Sequence, residues 1–317
     1  MKFRTEISAP QSNFNISYGD KTIMIGSCFV ENISIKLLRA GFDIDVNPFG
    51  IMYNPLSIHS TLSDIINKRE YTENDLFEHQ GIFHSFAHHG KFSGVDKESV
   101  LLNINQKIEH SFHFLKQAKY LFITFGTARV YYKTDGMMVA NCHKLPARTF
   151  TNKRLSVNEI HCKWNELITL LRTLNPDLRI IFTISPIRHW KDGSHENQLS
   201  KSTLFVALDE IMNSNTETYY FPSYEFMIDD LRDYRFYSED MLHPNAQAIN
   251  YIWDKFGDSY FSSNTKSTIK EWEKIQQALN HKPFNAESEE YTKFIEKAKE
   301  TELLFLEKNP LVINHKI

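Results

Sequence analysis

The sequence predicts an α/β protein built on a parallel sheet with helices on both faces. Three observations predict it. Strand-like and helix-like segments alternate through residues 20–260. Two of the strand candidates, Tyr120–Phe125 and Ile180–Ile184, are almost unbroken apolar runs, as strands covered on both faces are. Between them, Ile160, Trp164, Leu167, Ile168, Leu171 and Leu174 fall on one face of a helix.

Taken in order, the first strand is Thr22–Gly26, a short β-prone run. Val30 to Ala40 follows as a helical pattern stopped by Gly41. Phe42–Val46 reads as the second strand and Tyr120–Phe125 as the third. Ser156 and Glu159 have the spacing of a capping box at the start of the helix that follows. Arg179–Ser185 and Thr218–Phe221 are the fourth and fifth strands. Ile249, Ile252, Trp253 and Phe256 then mark another helix by their spacing. Two segments interrupt the alternation. Residues 76–95 are rich in His and Phe, and residues 129–142 read as a hairpin turning at Asp135-Gly136. The domain organisation expected is an α/β domain over residues 1–261 carrying these two insertions. A helical extension, residues 262–317, packs on it. Its helices are marked by Trp272, Ile275 and Leu279, then by Tyr291, Phe294, Ile295 and Ala298, with Pro283 between them.

Composition narrows the function. The chain has 317 residues, 41% of them apolar, enough for a sizeable core. A net charge of −3 argues against a nucleic-acid partner. No apolar run approaches the length of a membrane span, and the N-terminus has no apolar signal region, so a cytoplasmic protein without a membrane partner is expected. The three cysteines, Cys28, Cys142 and Cys162, are widely spaced and form neither a disulfide framework nor a metal knuckle. His79, His84, His88 and His89 cluster in the first insertion without a Cys or closely spaced carboxylate, so no metal is expected. The Gly-rich signatures of dinucleotide and nucleoside-triphosphate sites are absent, and no cofactor is expected.

Two segments carry chemistry. Gly26-Ser27-Cys28-Phe29 places two candidate nucleophiles at a strand-to-helix turn, where free backbone N–H groups favour a developing oxyanion. Far downstream, Asp240 and His243 lie three apart in a loop leading into a helix, with Pro244-Asn245-Ala246 following. An aspartate so placed can hold one imidazole nitrogen and leave the other to take a proton from a nucleophile. The alternative is a turn-capping aspartate beside a surface histidine. The coincidence with a nucleophile turn after the first strand favours the functional reading.

The Asp-x-x-His-Pro-Asn-Ala segment resembles the final block of SGNH/GDSL hydrolases. Gly26-Ser27-Cys28-Phe29 resembles the name-giving motif of the GSCFA family, which is grouped with them. Asn47-Pro48-Phe49-Gly50 with Asn54-Pro55, Phe125-Gly126-Thr127-Ala128, Asn141-Cys142-His143-Lys144 and Thr183–His189 are similar to that family too, so the likeness covers roughly residues 1–260. The resemblance implies a flavodoxin-like three-layer α/β/α sandwich with a mostly parallel five-stranded sheet, and a site at the carboxyl ends of its strands. It implies ester hydrolysis or acyl transfer on a small acylated molecule, an acylated sugar among the options. It further implies that His243 is the base, Asp240 its orienter and the Gly50 N–H an oxyanion donor. The usual asparagine of the oxyanion hole is missing, because Ala128 stands in its place. Asn54, Asn141 and Arg129 are candidate substitutes.

Laid on the hydrolase turn without a gap, Cys28 falls over the nucleophile. Ser27 is also a natural helix N-cap, which would occupy its hydroxyl. Cys28 is therefore preferred, in a setting expected to lower its thiol pKa. Ser27 remains the alternative nucleophile. Around the site, Arg188 could clamp a carboxylate or phosphate or pair with an acid. His143 or Lys144 could bind an anionic group, Arg129 could contact substrate, and Ser85 or His88 could line an acceptor pocket. His189 reads as structural. A hydrolase is the leading reading, an acyltransferase from a thioester or ester donor the next, and a degenerate binding module on the same fold a third. The oligomeric state is left open.

Overall fold

The computed structural model describes residues 4–285 and 287–315. In chain order the first elements are β1 (Thr22–Gly26), α1 (Cys28–Arg39), β2 (Ile44–Val46), α2 (Pro55–Ile66), β3 (Phe77–His79), β4 (Ile82–His84) and α3 (Lys97–Gln117). Then come β5 (Tyr120–Phe125), β6 (Arg129–Lys133), β7 (Met138–Val139), β8 (Phe150–Arg154), α4 (Val157–Leu174), β9 (Arg179–Ile184), α5 (Ser194–Ser214) and β10 (Thr218–Tyr220). The short α6 (Ser223–Glu225) runs into a π turn at Phe226–Asp230, and α7 (Ala246–Tyr260), α8 (Ser263–Leu279) and α9 (Glu289–Lys308) complete the chain.

The central sheet has the order β2-β1-β5-β9-β10, and every pair in it is parallel. This is the 2-1-3-4-5 order of flavodoxin-like folds, in which ligands bind where the strand order reverses, here between β1 and β5. Successive strand residues point to opposite faces. Ile23, Ile25, Ile123, Phe125, Phe182 and Ile184 enter one apolar cluster with α2, α3, α4 and α5. Met24, Tyr120, Phe122 and Ile181 enter a second with α1 and α7. Two covered faces make three layers, and each fully buried side chain of this size contributes about 1.5–3 kcal/mol. The capping box at the start of α4 forms as the spacing predicts: Glu159 N–H donates to Ser156 Oγ, and Ser156 N–H to Glu159 Oε2.

Three details differ from expectation. The second strand starts at Ile44 because Phe42 is used elsewhere, stacked between Tyr18 and Phe261 at 4.6 and 5.3 Å. The insertion at 129–142 is not a simple hairpin. β6 and β7 do turn around Asp135-Gly136, but β8 pairs antiparallel along the whole of β6. β8 escapes prediction because its residues Thr151 to Arg154 are all exposed, so no apolar alternation marks it. The insertion at 76–95 holds the β3–β4 hairpin, turning at Gln80-Gly81, both with positive φ.

In the tail, α8 and α9 pair through Trp272 and Phe305, stacked at 5.2 Å. The chain then returns to the turn before β2, where Ile313 N–H donates to the Gly41 carbonyl and His315 Nε2–H to that of Phe42. Among the described residues, no helix is long and apolar enough to cross a membrane.

Candidate active site

The site begins at the carboxyl end of β1. Gly26 has φ +149°, and a Cβ there would lie 2.3 Å from the Thr124 carbonyl oxygen of β5, so the turn requires glycine. The Gly26 N–H donates to Asn47 Oδ1 at 2.9 Å, which ties the turn to the end of β2. Ser27 is the N-cap of α1 and is 2% exposed; its Oγ accepts from Phe29 N–H at 3.4 Å. Cys28 is the first residue of α1 and only partly buried.

The loop before α7 brings the second half. Asn245 caps α7 by accepting from Ala248 N–H, and its own N–H donates to the Phe236 carbonyl. Ser238 N–H donates to the His243 carbonyl, closing residues 238–243 into a tight loop with Met241 at positive φ. Within it Asp240 Oδ1 accepts the N–H groups of Leu242 and His243, both at 2.9 Å. Asp240 Oδ2 lies 2.5 Å from His243 Nδ1. These hydrogen bonds hold the Asp240 carboxyl down at about 2, so it is an acceptor and Nδ1 must carry the proton. In the neutral ring His243 Nε2 is then the acceptor, and it lies 3.6 Å from Cys28 Sγ. Such a line of thiol, imidazole and carboxylate can pass the thiol proton to the imidazole as sulfur attacks a carbonyl carbon.

Burial pushes the Cys28 thiol up rather than down, a correction to the expected lowering. The N–H groups of Cys28 and Phe29 and the cation of Lys201 oppose that effect but do not reverse it. Cys28 thus favours the thiol over a standing thiolate.

Lys201 is the residue that sequence reasoning missed. It is 1% exposed on α5, and its Nζ donates to the carbonyls of Gly126 and Ser185, at the carboxyl ends of β5 and β9, at 2.8 and 2.6 Å. Burial pulls its ammonium down to about 7, while the nearby Cys28 thiolate would raise it. The available signal is its position on the apolar face of α5, in step with Leu204, Leu208 and Ile211. Burial raises the phenol of Tyr53, also unmarked by the sequence, and a Cys28 thiolate nearby would raise it further.

Several sequence candidates do other work. The Gly50 N–H donates to the Asn47 carbonyl at 2.7 Å, closing a turn, so it is not a free oxyanion donor. Asn54 caps α2, its Oδ1 accepting from Ser57 N–H and its Nδ2 donating to Ser57 Oγ, both at 2.8 Å. Asn141 Oδ1 accepts from His143 N–H. Arg129 is held by Glu196 at 2.5 Å and Asn152 at 2.7 Å, joining β6 to β8 and α5. His143 is buried and bonds through Nε2 to the Ser85 carbonyl, beside His84. His88 is 1% exposed, stacks on Phe49 and bonds Ser85 Oγ; burial lowers it to about 3. At Ala128, where a side-chain amide is missing, the backbone N–H is taken by Ser200 Oγ at 2.7 Å. The amide of Cys28 itself, opening α1, donates to no other residue among the described residues. Arg188 stands at a cavity beside Asp240. Among the described residues, no group of three or more His, Cys, Asp or Glu has the geometry to hold a metal ion.

No curated protein matches the chain in sequence. Among solved structures, it is similar to a family 3 carbohydrate esterase from Clostridium thermocellum, at 11% identity and TM-score 0.36 over 79% of this chain and 97% of that one. A carbohydrate esterase family 3 structure from Talaromyces cellulolyticus matches at 10% identity and TM-score 0.35, over 79% and 98%. An acetyl xylan esterase from Butyrivibrio proteoclasticus matches at 10% identity and TM-score 0.40, over 77% and 64%. The C-terminal domain of GSCFA domain proteins matches residues 272–303. Residues 21–256 match the GSCFA family, and the chain belongs to that family.

Proposed function

We propose that the protein hydrolyses an ester of a small acylated molecule, with Cys28 as nucleophile, His243 as general base and Asp240 as its orienter. One observation carries this reading: Cys28 Sγ lies 3.6 Å from His243 Nε2, whose Nδ1 is fixed 2.5 Å from Asp240. Ser27 is the weaker nucleophile, since its hydroxyl is buried and engaged as a cap.

In the reaction, Cys28 sulfur bonds to the acyl carbon as its proton passes to His243 Nε2. The C–O bond then breaks, and the alcohol departs with that proton. Water attacks the thioester, giving up a proton to Nε2, and the carboxylic acid leaves as the thiol is restored. The Cys28 N–H at the start of α1 donates to no other described residue and supplies an oxyanion donor once its sulfur is acylated, helped by the helix dipole. The missing side-chain amide at Ala128 predicts a slower enzyme, since one such donor is worth about 100- to 1000-fold. Aromatic side chains around the neighbouring cavity suit a ring-shaped alcohol such as a sugar.

The test is acid release from phenyl acetate and from acetylated sugars. Release that His243→Ala suppresses at least a thousandfold is expected. Release unaffected by His243→Ala, or none from any ester, would reject the reading.

A further inference from the structure

A cavity of about 430 Å³ opens beside Asp240, within the usual size range for small-molecule sites. Trp190, Tyr234 and Tyr237 line it, and Trp190 and Tyr234 are 49% and 74% exposed, so their faces are open to a ligand. Its charges are unequally committed. Arg232 pairs with Asp229 at 3.1 Å. Asp233 pairs with Arg235 at 3.9 Å and also accepts the Arg235 N–H. The oxygens of Asp240 are taken by His243 and Leu242. The guanidinium of Arg188, alone among these lining charges, has neither a hydrogen bond nor an ion pair with any described residue. Arg188 follows the end of β9, near enough to buried Lys201 for the two cations to repel. A half-buried guanidinium beside a second cation, with no carboxylate of its own, is a site prepared for an anion.

We propose that this cavity holds the alcohol part of the ester, and that this part is a ring bearing an acid group, carboxylate or phosphate, clamped by Arg188. The identification of the bound molecule as substrate rests on the hydrolase reading; the anion site itself does not. The aromatic walls take the ring, and Arg188 takes the acid as a two-pronged donor.

The experiment has a binding arm and a turnover arm. In the first, calorimetry with the Cys28→Ala protein compares 4-hydroxybenzoate and phenyl phosphate with phenol, so no chemistry intervenes. At least one of the two anions should bind about ten- to a hundredfold more tightly than phenol. That preference should vanish in Arg188→Gln and partly return in Arg188→Lys, whose folding is checked by thermal melting. Which anion gains more assigns carboxylate or phosphate. In the second arm, kcat/KM for 4-acetoxybenzoate and 4-acetoxyphenyl phosphate is compared with that for phenyl acetate. The ratio should favour an anionic ester and fall at least tenfold in Arg188→Gln, mainly through KM. Equal binding of the anions and phenol, or an anion preference that survives Arg188→Gln, would overturn the proposal. Arg188-dependent anion binding without turnover of any ester would sink the hydrolase reading and leave the anion site standing.

Discussion

Lys201 offers the sharpest physical test, because two opposing costs meet in one side chain. The perturbation is Lys201→Met, which keeps the volume and removes the charge, made in a Cys28→Ser background so that the thiol does not titrate. Met leaves the Gly126 and Ser185 carbonyls without their donor, at about 1–3 kcal/mol each. Against that, the ammonium is held at about 7 in the fold against 10.5 when free. Carrying that charge at pH 7 costs the folded state roughly 4 kcal/mol, at about 1.4 kcal/mol for each tenfold loss of proton affinity. The two effects nearly cancel, so the variant should fold at pH 7 with stability within about 2 kcal/mol of its parent. The sign then follows from proton counting. Between pH 7 and 10.5 the unfolded chain holds the Lys201 proton and the folded chain has released it, so stability rises with pH in this window. From pH 7 to 9 the parent should gain about 2 kcal/mol over the Lys201→Met variant, measured by urea unfolding at each pH. A difference that stays flat across that window would refute a buried, depressed Lys201.

Three further predictions concern the site itself. Asp240→Asn replaces an acceptor-only group that holds Nδ1–H with one that can donate, and should lower kcat/KM about 10³- to 10⁴-fold without unfolding the protein, as steady-state kinetics and circular dichroism will show. Asn54→Ala should lose about 1 kcal/mol of stability by denaturant titration and keep kcat within a few-fold; a hundredfold fall would restore Asn54 as an oxyanion donor. Because burial raises the Cys28 thiol, its alkylation by iodoacetamide should be slow at pH 7 and rise with a midpoint above the ordinary thiol value near about 8.5. A midpoint below 7 would instead mean a standing thiolate–imidazolium pair.

The central strands are legible in the sequence because burial on both faces leaves continuous apolar runs: Thr22–Gly26 and Tyr120–Phe125 have the predicted bounds. β8 is not legible, since a strand exposed on both sides has no pattern to show. At the site, the local features read well. The Ser27 cap, the Cys28 position and the Asp240–His243 spacing all depend on neighbours in sequence. What does not read from the sequence is which partner each polar group takes once the chain is folded. Gly50, Asn54, Arg129, His88 and His143 have the right chemistry, but Gly50, Asn54 and His88 are engaged by a turn, a cap and a hydroxyl three residues away, and Arg129 and His143 by a carboxylate and a carbonyl 67 and 58 residues away. Lys201 is the converse case: its place on the apolar face of α5 is readable from its neighbours, but the carbonyls it serves lie 75 and 16 residues away.

The central claim is that Cys28, not Ser27, takes the acyl group. Intact mass and peptide mapping after a brief, acid-quenched exposure to 4-nitrophenyl acetate test it directly. The account predicts one acetyl group on Cys28 in the parent and in Ser27→Ala, and none in Cys28→Ala. An acetyl adduct that persists in Cys28→Ala and disappears in Ser27→Ala would contradict it.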